Sequence, residues 1–140
     1  MAKYGPASIV VEYDNSGDSL VNITQHVMEI NGTAVEQILE EVHTFGDSWE
    51  EHLPVGIGRM TPVELSGLYD DTATTGPDAL FANRVPENPA SSTRGLKITW
   101  GSTKTTLVET YLIAYERTAD RNALTRWTAR LQPTGAVTET

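Results

Sequence analysis

Two stretches decide the fold: His43-Thr44-Phe45-Gly46-Asp47-Ser48-Trp49-Glu50-Glu51 and, beyond a polar link, Val63-Glu64-Leu65-Ser66-Gly67-Leu68-Tyr69-Asp70-Asp71. In the first, two large aromatics flank a Gly-Asp-Ser corner, where glycine allows positive φ and Asp or Ser can bond its own backbone. In the second, Val63, Leu65 and Tyr69 share one face at period two, with Gly67 in the same register. The double aspartate closes that run, because carboxylates do not stay buried unpaired. A turn that displays aromatics is therefore followed by a strand that leaves the core for water.

Outward from these runs the chain reads mainly as short strands. Ser8 to Tyr13 is β-branched and ends in the turn cluster Asp14-Asn15-Ser16-Gly17-Asp18. Leu20 to Ile30 reads as a second strand whose apolar face changes at Gln25-His26, as a bulge or twist would make it do. Residues 50–61 hold Pro54, Gly56 and Gly58 without a sustained apolar pattern and read as a loop. Gly76-Pro77-Asp78-Ala79-Leu80-Phe81 starts a short helix, with proline at the first position and an acid in the first turn. Arg84 to Arg94, with Pro86 and Pro89, reads as a surface loop.

The last third alternates cleanly. Leu96, Ile98 and Trp100 share one face, and a long strand runs from Lys104 to Arg117. A third follows with Trp127, Ala129 and Leu131 facing one way, so the three predict an antiparallel meander. The long strand would span about 46 Å, which predicts that it bends or extends past its own core. Residues 134–140 are polar and predict a frayed, flexible tail. About six strands and one short helix indicate a single domain, 1–140, built as an antiparallel β-sandwich or barrel-like sheet pair.

The Phe45-Gly46-Asp47-x-Trp49 corner, the link after it and the Gly67-x-Tyr69-Asp70-Asp71 strand end together resemble the major tail tube protein of long-tailed, siphovirus-type bacteriophages. The order of the other elements is similar from about Ile9 to Leu131. The resemblance implies a tail tube fold, a β-sandwich subunit with a flanking helix. It further implies self-assembly into stacked hexameric rings that form a conduit for double-stranded DNA, without specific binding. Implied partners are a tape-measure protein, a tail terminator and distal tail proteins, and the implied location is the virion tail after assembly in the host cytoplasm. An arm at about 45–62 would reach a neighbouring subunit. Phe45, Asp47, Trp49, Asp70 and Asp71 are the candidate subunit contacts, and Glu29, Glu36, Glu40 and Glu64 the candidate acidic residues of the lumen.

Residues 33–43 pull two ways. Asn31-Gly32 is a hairpin signal, and the resemblance favours an extended strand that folds back on the one before it. Val35, Ile38, Leu39 and Val42 stand at helical spacing, over a length at which a helix is marginal without packing.

Ten Lys plus Arg against nineteen Asp plus Glu give a net charge of −9 over 140 residues. Tight nucleic-acid binding needs basic side chains against phosphates, so this balance argues against a protein that grips DNA. It is compatible with one that lets DNA pass. An acidic lumen would repel phosphates over a Debye length of ~8 Å at physiological salt. The plainer reading is that acidic surfaces keep proteins apart.

With no cysteine, disulfides and thiolate metal sites are excluded. Met1 to Pro6 lacks the apolar segment of a secretory signal, and no run approaches the ~20 apolar residues of a membrane span, so the expectation is a soluble protein with no membrane insertion.

Chemistry-bearing residues do not assemble into a motif. His26, His43 and His52 lack metal-binding spacing, and no motif ties a second carboxylate cluster or a histidine to Asp70-Asp71. Val55-Gly56-Ile57-Gly58-Arg59 lacks the residues of a phosphate or dinucleotide loop. The reading is therefore no catalytic residue, no metal and no cofactor. Two other classes compete with a tube subunit. One is a monomeric β-sandwich that binds carbohydrate through Trp49, Trp100 or Trp127. The other is a small enzyme whose site is assembled across loops. Trp100 and Trp127 continue the apolar faces of strands, which favours core packing for both.

Overall fold

The structure, a computed structural model, describes residues 5, 8–15, 17–42, 44–46, 48–82 and 93–140. Its elements run β1 (Ile9–Asp14), β2 (Leu20–Asn22), β3 (Glu29–Asn31), β4 (Val35–Val42), β5 (Glu51–Met60), β6 (Val63–Leu68), α1 (Pro77–Phe81), β7 (Arg94–Trp100), β8 (Lys104–Asp120) and β9 (Ala123–Glu139). Seven strands form one sheet in the order β2-β1-β7-β8-β9-β6-β3, antiparallel at every pairing, while β4 and β5 pair with each other as a separate hairpin.

The two margins of the large sheet, β2 and β3, belong to one stretch of chain with a single 3-10 turn, Thr24–His26, between them. The sheet therefore curls until covalent chain joins its margins. Hydrogen bonds fasten the seam, among them the Ile23 amide to the Val11 carbonyl (2.9 Å), the Val11 amide to Thr24 Oγ1 (2.9 Å), the Met28 amide to the Ser66 carbonyl (2.7 Å), and the Trp127 indole to the His26 carbonyl (3.1 Å).

Gly67 makes this seam possible. A Cβ there would stand 1.9 Å from the His26 carbonyl oxygen, and Gly67 lies directly across from Trp127, whose indole binds that same oxygen. The glycine of the Gly67-x-Tyr69-Asp70 motif is thus a packing requirement, because only hydrogen fits between the strand and the turn that crosses it.

The core is the inward face of the alternating strands. Val11 and Tyr13, Val63 and Leu65, Leu96 and Ile98, and Trp127, Ala129 and Leu131 are all buried. Burying each large aliphatic or aromatic side chain contributes about 1.5–3 kcal/mol. Helix α1 closes one end. Proline starts it, Leu80 and Phe81 are buried, and the Phe81 ring packs 4.9 Å from Tyr13 and 5.5 Å from Trp127, centroid to centroid.

Asp78 latches the helix to the sheet. Its carboxylate accepts hydrogen bonds from the Tyr69 hydroxyl, the Tyr115 hydroxyl (2.7 Å) and Arg117 Nε (2.8 Å). Burial pushes the Asp78 carboxyl up, but these three donors outweigh it and hold it below its ordinary value. Tyr115 is pushed well up, by burial first and by Asp78 second.

Several expectations meet a different structure. The stretch 20–30 is two short strands on opposite margins, so the face switch at Gln25 is a 3-10 turn and not a bulge. After Gly32 (φ +84°) the chain does not fold back on β3, which pairs with β6; residues 35–42 nevertheless form a strand, the alternative that the hairpin signal and the resemblance favoured over the helical spacing. Residues 51–60, read as a loop, are strand β5, because pairing with β4 satisfies the backbone despite Pro54 and two glycines. Residues 134–139, read as a frayed tail, continue β9 along β8, with Glu139 opposite Thr106. The short helix and the β7-β8-β9 meander stand where they were expected. Most of the loop expected at 84–94 lies outside the described residues, and Arg94 already belongs to β7.

Candidate assembly interface

The β4-β5 hairpin differs from the sheet in kind. Opposed residues in register run from Val35 and Met60 at its base to Val42 and Glu51 near its tip, with an irregularity around Ile38 where Gly56 takes φ +82°. Its base is held to the body. Met60 is buried, the Thr61 amide bonds the Ala34 carbonyl at 2.9 Å, and Thr61 Oγ1 bonds the Gly32 carbonyl at 2.5 Å. Beyond the base the strands have solvent on both faces. Val35, Leu39, Leu53, Val55 and Ile57 are all exposed, and the tip carries Phe45 and Trp49, the latter 85% exposed. A two-stranded hairpin is marginal alone, and one that leaves this many apolar side chains open to water on its two faces is a candidate interaction element.

The hairpin is also acidic. Glu36, Glu40, Glu41, Glu50 and Glu51 stand on it against Arg59, and Arg59 Nε is paired with Glu36 at 3.0 Å. An exposed pair of that kind is worth about 0–1 kcal/mol, so it aligns the strands more than it stabilises them.

The candidate contact residues fall into two groups. Phe45 and Trp49 stand together at the tip; Asp47, between them in sequence, lies outside the described residues. Asp70 and Asp71 follow the far end of β6, away from the hairpin base. Asp70 is engaged locally: its carboxylate accepts from the Thr72 amide (2.8 Å) and hydroxyl (2.6 Å), which lowers its pKa. Asp71 is exposed.

The candidate lumen acids divide in the same way. Glu36 and Glu40 are on the hairpin. Glu29 and Glu64 lie on neighbouring strands of the large sheet, on its outward face, where Glu64 is opposite Asn31 on one side and Arg130 on the other. Arg126 and Arg130 stand on that same outward face, where their alternation with the buried Trp127, Ala129 and Leu131 along β9 puts them.

Of the three tryptophans, Trp127 is buried with its indole bonded, and Trp100 is half-buried with Nε1 on Thr106 Oγ1 at 2.9 Å. Of the three, only Trp49 presents an open face, so the tryptophans do not form a common platform for stacking a sugar. Among the described residues no group of three or more metal-ligating side chains converges, and no helix is long and apolar enough to cross a membrane.

A chain with this curled sheet, latched helix and projecting hairpin has the fold of components of tailed particles and injection machines. It superposes on a chain in the tail of an empty gene transfer agent particle, determined by helical refinement with C6 symmetry. That match has a TM-score of 0.73 at 13% identity and covers 99% of each chain. A chain of an extracellular contractile injection system, at the sheath/tube terminator in the extended state, matches at TM-score 0.73 and 10% identity over 100% of this chain and 98% of that one. A chain of the anti-feeding prophage baseplate matches at TM-score 0.72 and 12% identity over 100% and 97%. No family model and no curated protein matches the sequence. The tail tube fold implied by the motifs at 45–49 and 67–71 is the fold of this chain.

Proposed function

We propose that this protein is a structural subunit of the tail tube of a phage-like particle, assembling as stacked hexameric rings around a channel and performing no catalysis. The observation that carries the reading is the end-to-end likeness to chains of such particles, one of them in a tail refined with C6 symmetry. The exposed hairpin supports it, since a surface of this kind needs a partner. Rings form by subunits joined around a closed axis. They stack through heterologous contacts that do not close and so make a filament. Hairpin residues Phe45, Asp47 and Trp49, together with the Asp70-Asp71 strand end, supply the contacts between subunits.

In this reading the tube belongs to the virion tail and is assembled in the host cytoplasm. Double-stranded DNA passes through it without specific binding. Identical rings carry no count, so length is set by other components: a tape-measure protein and a terminator, with distal tail proteins at the far end. The long-tailed, siphovirus-type setting is the finer form of the reading. Neighbours that come from a sheath-tube complex make a sheathed tube the other form. Glu29, Glu36, Glu40 and Glu64 face the channel, where like charge keeps DNA from adhering.

Negative-stain microscopy of the purified protein tests the reading. Hollow filaments of even width with six-fold end views are expected. A species that stays monomeric at every concentration, with no rings, overturns it.

A further inference from the structure

The two ends of the core are finished differently. Helix α1 closes one with Leu80 and Phe81. At the other, where β1 begins and β7 ends, a cavity of about 230 Å³ opens to solvent. Ile9, Val27, Ile30 and Trp100 line it with Met28, which is 62% exposed, and Glu29 stands on its rim. A cavity of roughly 150 Å³ with apolar walls accepts a benzene molecule, so this one has room for an aromatic side chain. The methionine gives its wall the adaptability of an unbranched thioether.

The same chain carries two aromatic side chains with nothing to cover them. Phe45 and Trp49 stand at the end of a hairpin whose eight-residue β4 puts the tip about 26 Å from its base. Within one copy the tip does not enter the groove, since neither aromatic is among the groove's lining residues and both stay open to water. From this we infer that the hairpin tip of a second copy occupies the groove, with Trp49 seated among Met28, Ile30 and Trp100. The hairpin, residues 35–60, is by itself the size of one side of a standard interface, which takes roughly 20–30 residues. Charge agrees on one flank: Lys104, directly across from Trp100 on β8, is exposed beside the groove, and Glu50 and Glu51 follow Trp49 at the tip. On the other rim Glu29 faces the approaching acids and opposes a shifted register. The contact is heterologous, knob on one face and socket on another, so every copy keeps one free knob and one free socket until a ring closes or a filament ends. This inference rests on the assembly reading above and names the contact within it.

The absence of cysteine makes the test direct. Full-length Trp49→Cys and Met28→Cys proteins, carrying tags of different mass, are mixed under assembly conditions and oxidised. Disulfide-linked heterodimers are expected at ~tenfold or more over a Leu124→Cys control mixed with Trp49→Cys, because docked thiols meet at an effective concentration near millimolar. The double variant should give a ladder of covalent multimers. Tubes that form without a 28–49 cross-link, or Met28→Cys coupling preferentially to Leu124→Cys, overturn the inference and leave the tube reading standing. Absence of any assembly by both variants and the parent overturns both.

Discussion

The seven-stranded sheet and the β4-β5 hairpin are built from the same residue types and put them to opposite use. In the sheet, apolar residues alternate inward and meet one another across strands, as Leu65 does Ala129 and Ile98 does Val11. In the hairpin, Val35, Leu39, Leu53 and Ile57 are at least half exposed, and the backbone ladder alone accounts for the strands. A strand needs burial to be stable but only pairing to exist. The lesson is that the sheet buries its apolar face within one copy, whereas the hairpin leaves its own open to water.

That contrast can be broken experimentally. The largest effect is expected in the sheet. Trp127→Ala removes the ring packed on Phe81 and the donor to the His26 carbonyl, and should cost about 3–5 kcal/mol by denaturant unfolding. Asp78→Ala comes next. It strands the Tyr115 and Tyr69 hydroxyls and frees Arg117, and a loss of about 2–3 kcal/mol is expected.

Acid sharpens the same point. Because the folded Asp78 pKa lies below its ordinary 3.8, its contribution is full above that value and is lost as pH falls through the folded value. The stability gap between the parent and Asp78→Asn, measured by unfolding at a series of pH values, should therefore be flat near neutrality and shrink in acid. A gap that widened in acid would reverse the sign.

The smallest effect on unfolding is expected at the hairpin tip. Phe45→Ser and Trp49→Ser should change it by less than about 0.5 kcal/mol. The same changes should weaken assembly, seen by sedimentation, by about 2 kcal/mol or more per contact. If the tip variants unfold as readily as Trp127→Ala, the hairpin belongs to the core and the contrast fails. Glu64→Lys should leave both unfolding and assembly near the parent while slowing DNA passage in an ejection assay. Unchanged ejection removes the repulsive wall.

What could be read in advance follows the same line. The β7-β8-β9 meander was legible because burial on one face imposes strict alternation. Strand β5 was not, because a segment wet on both sides is under no such constraint, and Pro54, Gly56 and Gly58 then look like loop punctuation. The end of β9 was missed for a related reason: Thr138 and Glu139 are polar, yet they pair with Leu107 and Thr106. The tip aromatics were visible as residues. The groove was not, since its walls come from β1, the 24–30 segment and β7, brought together only by the curl of the sheet.

The curl also sets an order of events during synthesis. Strand β1 waits for β7, with Ile9 opposite Trp100, and β6 waits for β9, with Val63 opposite Leu131. The β4-β5 pairing is local and becomes available once residues 35–60 have left the ribosome, though it stays marginal until its base docks, while closing the sheet requires distant partners and comes last. On the knob-and-socket inference, a nascent chain would show its aromatic tip before it had a socket to offer, and a polysome would carry many knobs and few receptors.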